Sequence, residues 1–184
     1  LFKVNLFKSK INLSNLSGAN LIGANLIEVD LSDSNFHGTQ LFKTNLTNAK
    51  MQNVKELDSA FYCLTTMPSG EINNSNCRNA ILNGLNYYKD DVRNIDFTNS
   101  NFSDSKLFQL DFQDSNLIYV LFNDTDMYKV NFNKLNLMHA EFNNSQLIKV
   151  DFSNSNLMDA KFNKVKFISS NLAGANLGRA DFSN

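Results

Sequence analysis

Residues 97–122 read Phe97-Thr98-Asn99-Ser100-Asn101-Phe102-Ser103-Asp104-Ser105-Lys106-Leu107-Phe108-Gln109-Leu110-Asp111-Phe112-Gln113-Asp114-Ser115-Asn116-Leu117-Ile118-Tyr119-Val120-Leu121-Phe122. A large apolar side chain stands at every fifth position of this stretch. The beat continues through Met127, Phe132, Leu137, Phe142, Leu147, Phe152, Leu157, Phe162, Phe167, Leu172 and Leu177 to Phe182. An earlier run keeps the same spacing from Leu1 through Leu6, Ile11, Leu16, Leu21, Leu26, Leu31, Phe36, Leu41 and Leu46 to Met51. Five is neither the helical period nor the strand period. A fixed short period along a whole chain marks a solenoid, in which each unit touches only its neighbours.

Around each apolar centre the other positions are also patterned. Two residues before it the side chain is small or β-branched, as at Ala19, Val29, Ser100, Ser115, Val130 and Ala160. Immediately before it comes a polar residue, most often Asn or Asp, as at Asn20, Asp30, Asn101, Asp111 and Asp151. Two variable residues follow. The pattern sends two side chains inward and three outward in every five. A chain that turns a corner at each unit closes a coil with four flat sides.

The bulk properties narrow the function. A chain of 184 residues is long enough for one domain with a sizeable core. The 17 basic and 18 acidic residues nearly cancel, which argues against a general polyanion binder and against a strongly acidic nucleic-acid mimic. Cys63 and Cys77 form no disulfide framework, so a reducing compartment and a cytoplasmic location are the expectation. No apolar run is long enough to span a bilayer, no signal-peptide pattern is present, and no membrane association is expected. The chain begins at Leu1 without Met and stops in mid-pattern at Asn184, so a piece of a longer protein is expected.

Ala19-Asn20-Leu21-Ile22-Gly23-Ala24-Asn25-Leu26 and Ala173-Gly174-Ala175-Asn176-Leu177 follow the A-(D/N)-L-x-x consensus almost letter for letter. In these residues the chain resembles the pentapeptide-repeat family. The resemblance implies an all-β fold, a right-handed quadrilateral parallel β-helix with four pentapeptides per coil, here about nine coils with one loop insertion. Between Phe102 and Phe162 every second centre is Phe. With four units per coil, Phe102, Phe122, Phe142 and Phe162 stack on one side and Phe112, Phe132 and Phe152 on the opposite side. A three-sided coil would scatter that order.

The register breaks once. One phase holds through Phe61 and another begins at Ile72, so either one step carries six extra residues or two steps carry one. The stretch Thr65-Thr66-Met67-Pro68-Ser69-Gly70 holds the only proline, closely followed by glycine, which is loop punctuation. The expected layout is a single domain over 1–184, with a first register at 1–61, a loop interruption at 62–71 and a second register at 72–184. Thr66, Met67, Pro68, Ser69 and Gly70 form a candidate binding loop, because loops carry function more often than scaffolds do. Just upstream, Glu56 occupies a centre position where a buried charge is costly, so the coil is irregular there.

Outward residues on one wall recur every fourth unit. The residue after the centre reads Tyr88, Phe108, Tyr128, Ile148 and Ile168, beside a row of Lys89, Gln109, Lys129, Lys149 and Ser169. With a six-residue loop the stripe continues backwards through Tyr62, Phe42, Ile22 and Phe2, with Lys43 and Lys3 in the lysine row. The opposite wall carries Ile118, Met138 and Met158 beside Tyr119 and His139. A contiguous aromatic-aliphatic stripe marks a contact surface or a self-stabilising cross-strand ladder.

No catalytic constellation is present. His37 and His139 lie about five coils apart, and neither Cys63 nor Cys77 has metal-site spacing or an activating histidine. No enzyme activity, cofactor, metal or direct nucleic-acid contact is expected. The expected function is a rigid structural scaffold that binds a protein partner or itself, including as a homodimer. The alternative comes from the resemblance alone, because quinolone-resistance members of the family imitate DNA and bind DNA gyrase.

Overall fold

The computed structural model describes residues 1–183. Its repeating element is a turn. In unit after unit the N–H three residues past a centre donates to that centre's carbonyl, as from Val4 to Leu1 (3.0 Å) and from Ser100 to Phe97 (2.8 Å). The second residue after each centre takes a left-handed backbone, for example Asp33 (φ 61°), Asn99 (φ 59°) and Lys129 (φ 54°). So one of the two variable positions is constrained, which explains its wealth of Asn, Asp and Gly. The Asn or Asp before the centre has its own task. Its side-chain oxygen accepts the N–H just after the centre, as in Ile22 to Asn20 (3.1 Å) and Ser103 to Asn101 (2.9 Å).

Coils join by parallel backbone pairing, most of it between residues twenty apart, as in Asn5↔Asn25, Asn25↔Asn45 and Asn131↔Asp151. Twenty residues is four pentapeptides, and the fold is the four-sided parallel β-solenoid. The chain groups into two compact units, Leu1–Asn76 and Cys77–Asn184.

The second unit contains the regular sheet. Strands β3 (Asn86–Tyr88), β4 (Lys106–Phe108), β5 (Asp126–Tyr128), β6 (Gln146–Ile148) and β7 (Lys166–Ile168) stack in order, all parallel. Behind them the phenylalanines pack as expected. Phe112, Phe132 and Phe152 stack at 5.2 Å centroid spacing, and Phe102, Phe122, Phe142 and Phe162 stack at 5.3, 5.2 and 5.0 Å. The two columns meet edge to face across the core, as between Phe142 and Phe152 (89°), the arrangement aromatic quadrupoles favour. Small Ser and Thr residues two before the centre bind coil to coil. Ser145 Oγ donates to the Phe122 carbonyl (2.7 Å) and accepts from the Thr125 N–H (2.9 Å).

In the first unit Leu21, Leu26, Leu31, Phe36, Leu41 and Leu46 are fully buried. Here the register differs from the six-residue loop favoured by the sequence. Gln40, not Leu41, pairs with Phe61, and the Leu41 N–H donates to the Phe61 carbonyl (2.9 Å). Tyr62 is therefore the buried centre and Phe61 is exposed. The shift is a single extra residue at a 3-10 helix, Leu57–Ser59. Its cause is Glu56, which turns outward with φ 55° while Leu57 packs against the core in its stead. Burial pushes the Tyr62 phenol up to about 12, so it stays neutral and donates to the Leu57 carbonyl (2.9 Å).

After Tyr62 the chain forms an antiparallel hairpin of β1 (Thr65–Thr66) and β2 (Ile72–Asn73). The Gly70 N–H donates to the Met67 carbonyl (2.9 Å) in its turn, where Gly70 has φ 89°. The returning residues bond back along the last rung, with Leu64 N–H on Asn74 Oδ1 (2.8 Å) and Asn76 N–H on the Tyr62 carbonyl (2.8 Å). Ile72, expected as a centre, is exposed on this return, and Cys77 is the next buried centre. Nine coils do not share one ladder: among the described residues the Ile81–Asn101–Leu121–Glu141–Lys161–Asp181 ladder has six rungs, the β3–β7 sheet five strands, and the Asn5–Asn25–Asn45–Thr66 ladder four rungs. Cys63 and Cys77 are both disulfide-bonded, against the expectation of reduced thiols, which rested on cysteine count and spacing alone.

Phe132→Ala is expected to cost about 3–5 kcal/mol by urea denaturation, against about 1 kcal/mol for Asn133→Ala. Ser145→Ala is expected to cost about 1–3 kcal/mol, because it strips a buried N–H of its acceptor.

Candidate functional site

The β3–β7 wall departs from the repeat. Before its centres stand Asn86, Lys106, Asp126, Gln146 and Lys166, and each unit here runs as a three-residue strand. In the first strand the N–H after the centre, that of Tyr88, is taken by Asp90 Oδ2 (2.9 Å) rather than by Asn86, and β-branched and aromatic residues occupy the position after the centre along the wall, where they suit a strand. Tyr88, Phe108, Tyr128, Ile148 and Ile168 are thereby in direct register. Tyr87 anchors the first strand from inside. Its phenol donates to the Leu82 carbonyl (2.7 Å), and burial, helped by the Asp90 charge, pushes its pKa well above the usual value.

The outer row is a real column of rings. Tyr88 stacks on Phe108 at 5.2 Å and 15°, and Phe108 on Tyr128 at 4.8 Å and 20°. Tyr88 is 64% and Phe108 36% exposed, while Tyr128, Ile148 and Ile168 are half-buried. Lys89 and Lys129 place their Nζ 5.3 Å from the Tyr88 and Tyr128 ring centres, and Lys149 is exposed in the same corner row. Between the apolar row and the row of Lys106, Asp126 and Gln146 lies a depression of about 300 Å³.

The backward continuation of the stripe is not displayed. Phe2 is exposed, but Ile22, Phe42 and Tyr62 are buried, Tyr62 because the register shift makes it a core residue. The candidate loop is largely consumed by the fold. Thr66 belongs to β1, Met67 packs against the core, and the Pro68 carbonyl accepts the Asn48 N–H (3.0 Å), leaving Ser69 and Gly70 exposed.

Charge is sorted by wall, which the net value hides. Lys89, Lys106, Lys129, Lys149 and Lys166 stand on the β3–β7 wall against Asp126 and, at the corner, Asp90, whose carboxylate accepts the Tyr88 N–H (2.9 Å). None of these lysines is in an ion pair among the described residues. The wall centred on Phe112, Phe132 and Phe152 bears Asp91, Asp111, Asp114 and Asp151 against Arg93 and Lys134. The wall centred on Phe102, Phe122 and Phe142 bears Asp104, Asp124, Glu141 and Asp181 against Lys161 and Lys164. Lys106 and Lys166 escaped the sequence reading; the signal for them was the missing Asn or Asp before those centres.

Family comparison places the chain. The family model described as pentapeptide repeats (8 copies) matches residues 9–54, 105–144, 136–172 and 145–184. The chain belongs to the pentapeptide-repeat family. No curated protein matches it in sequence. Among solved structures it is similar to HetL, a pentapeptide repeat protein involved in heterocyst differentiation regulation from the cyanobacterium Nostoc sp. strain PCC 7120. That pair shares 23% identity over 97% of this chain and 87% of the other, with a TM-score of 0.44. Rfr23 from the cyanobacterium Cyanothece 51142 is similar at 17% identity over 83% and 90%, with a TM-score of 0.49. QnrB1, a plasmid-mediated fluoroquinolone resistance protein, is similar at 16% identity over 96% and 94%, with a TM-score of 0.31.

On the wall opposite β3–β7, Tyr119 stacks on His139 at 4.5 Å, and Arg179 grips both oxygens of Asp159 at 2.6 Å, holding that carboxyl below its usual value. Ile118, Met138 and Met158 are half-buried there. His37 lies 3.8 Å from Glu56 in the first unit. Among the described residues no group of three His, Cys, Asp or Glu side chains converges on a metal position. In this pentapeptide-repeat chain the β3–β7 wall is the distinctive surface. Phe108→Ala is expected to lower stability by about 0.5–2 kcal/mol, the worth of its two cross-strand pairs with Tyr88 and Tyr128, as measured by urea denaturation.

Proposed function

We propose that the protein is a non-enzymatic interaction scaffold whose β3–β7 wall is pressed against a protein partner or a second copy. The observation that carries this reading is the ring column of Tyr88, Phe108 and Tyr128 continued by Ile148 and Ile168 on one flat wall. Contiguous exposed apolar rows of this kind commonly mark contact surfaces. The wall is held by ladder bonds and a close-packed core, so binding costs little ordering. The gyrase-binding alternative draws no support from the near-zero net charge, because imitation of DNA calls for a strongly acidic protein.

A photoreactive phenylalanine analogue placed at position 108 should give discrete adducts in cell extract, and the same analogue at Asn133 should not. Excess wild-type protein should compete these adducts away, and excess Phe108→Glu/Tyr128→Glu should not. Equal competition by both proteins would remove the wall as the contact surface.

A further inference from the structure

We infer that the β3–β7 wall docks a short extended protein segment carrying carboxylates between apolar side chains; this rests on the reading of the wall as a contact surface. Charge sets the partner's sign. Lys89, Lys129 and Lys149 border the apolar row on one side and Lys106 and Lys166 on the other, so five ammonium groups outnumber the carboxylates of Asp126 in the second row and Asp90 at the corner beside Lys89. Two copies meeting through this wall would bring lysine rows together, so complementarity calls for an acidic partner rather than self-pairing.

Ring orientation sets the partner's class. Tyr88, Phe108 and Tyr128 lie at 5.2 and 4.8 Å, closer than rings side by side in one plane can come. Their faces are turned on one another and their edges point outward. No row of free faces remains for nucleobases to stack on. The outward edges carry the positive part of the ring quadrupole, which adds to the ammonium groups in attracting carboxylates.

Size sets the partner's form. The row from Tyr88 to Ile168 spans four coil steps. At usual strand spacing that is about 19 Å, the length of roughly six extended residues. Such a row is well below the roughly 800 Å² per partner of a standard interface between globular proteins. The depression of about 300 Å³ beside Phe108 and Tyr128 gives apolar side chains of an extended segment a seat that a flat bilayer surface would leave unfilled.

The test uses the purified full chain and a fluorescent peptide of about eight residues alternating Glu with Leu and Tyr, followed by anisotropy. Binding should be saturable and about tenfold weaker for Lys89→Gln/Lys129→Gln/Lys149→Gln. Gln109 already occupies that row at φ 55°, so the substitutions fit the backbone, and an unchanged thermal melt checks the fold. Lys134→Gln/Lys164→Gln, on other walls, should bind like wild type. A Gln version of the peptide should not bind. Salt of about 1 M, where screening acts within roughly 3 Å, should weaken wild-type binding to the level of the triple variant.

No peptide binding, or equal binding by the triple variant, overturns the inference. So does tighter binding of an oligothymidylate or of phosphatidylserine vesicles, or a concentration-dependent dimer abolished by Phe108→Glu. If the inference fails while the position-108 adducts still discriminate between competitors, the contact-surface reading stands and only the partner chemistry was wrong. If that discrimination fails as well, both are overturned.

Discussion

Everything in this protein depends on backbone bonds that join residues about twenty positions apart. The Asn25 N–H donates to the Val4 carbonyl, the Leu26 N–H to the Asn45 carbonyl, and the pattern repeats coil after coil. Because each coil must place its donors over the next coil's acceptors, regular coils hold the same number of residues, and an extra one has to be taken up locally, as at Leu57–Ser59. Side chains in equivalent positions then stand above one another. Ring stacks on ring, leucine on leucine, and Asn136, Asn156 and Asn176 hydrogen-bond amide to amide. Stacking is thus the outcome of the ladder, and the apolar period of five is what the ladder imposes on the core. Buried serines and threonines lock the same spacing through bonds to carbonyls one coil away, and no buried side-chain polar atom among the described residues lacks a partner.

This constraint explains why the core was legible in the sequence and the break was not. Phe102 through Phe162 are where the alternation put them, since a four-sided coil with a centre every five residues admits no other stacking. Between Phe61 and Ile72 the count of eleven residues fits two arrangements, and counting cannot choose between them. Burial can. Glu56 resists a centre position, Leu57 stands next to it, and one extra residue exchanges them. The same exchange carries Tyr62 inward and Phe61 outward, so a stripe extrapolated through the break picked a core residue as a surface one. The proline-glycine stretch was legible as a turn. Its use in covering the last rung was not, because that depends on Asn74 and Asn76 reaching back across the hairpin.

The same ladder explains how a surface comes to be specialised. On a wall built of Asx-capped bridges, the residue before the centre is committed to the cap. On the β3–β7 wall the row reads Asn86, Lys106, Asp126, Gln146 and Lys166, three of them without a cap-type side chain, and the Tyr88 N–H is taken by Asp90 rather than Asn86. The strand that results has two outward positions per unit open to selection rather than one. The row Tyr88 to Ile168 was readable from residues spaced twenty apart, but the second row and its charge were not, because composition adds charge over the whole chain. A net charge of -1 is compatible with an even surface and with a basic wall flanked by acidic ones.

Periodicity also amplifies small choices. One lysine in a repeat is a solvated side chain of little consequence; five of them repeated on one flat wall set a field over a surface whose spacing the backbone fixes. Acids on the remaining walls find partners, as Glu141 does with Lys161 (2.7 Å), Asp159 with Arg179 and Asp91 with Arg93. The lysines of the β3–β7 wall have no such pairs among the described residues. Two of them lie against aromatic rings instead, which places each charge at the border of the apolar row. A cation on an exposed ring retains most of its hydration, so it remains able to exchange that water for a carboxylate at modest cost. A solenoid with an invariant core can in this way acquire a particular binding surface by changing only the residues that flank one set of centres.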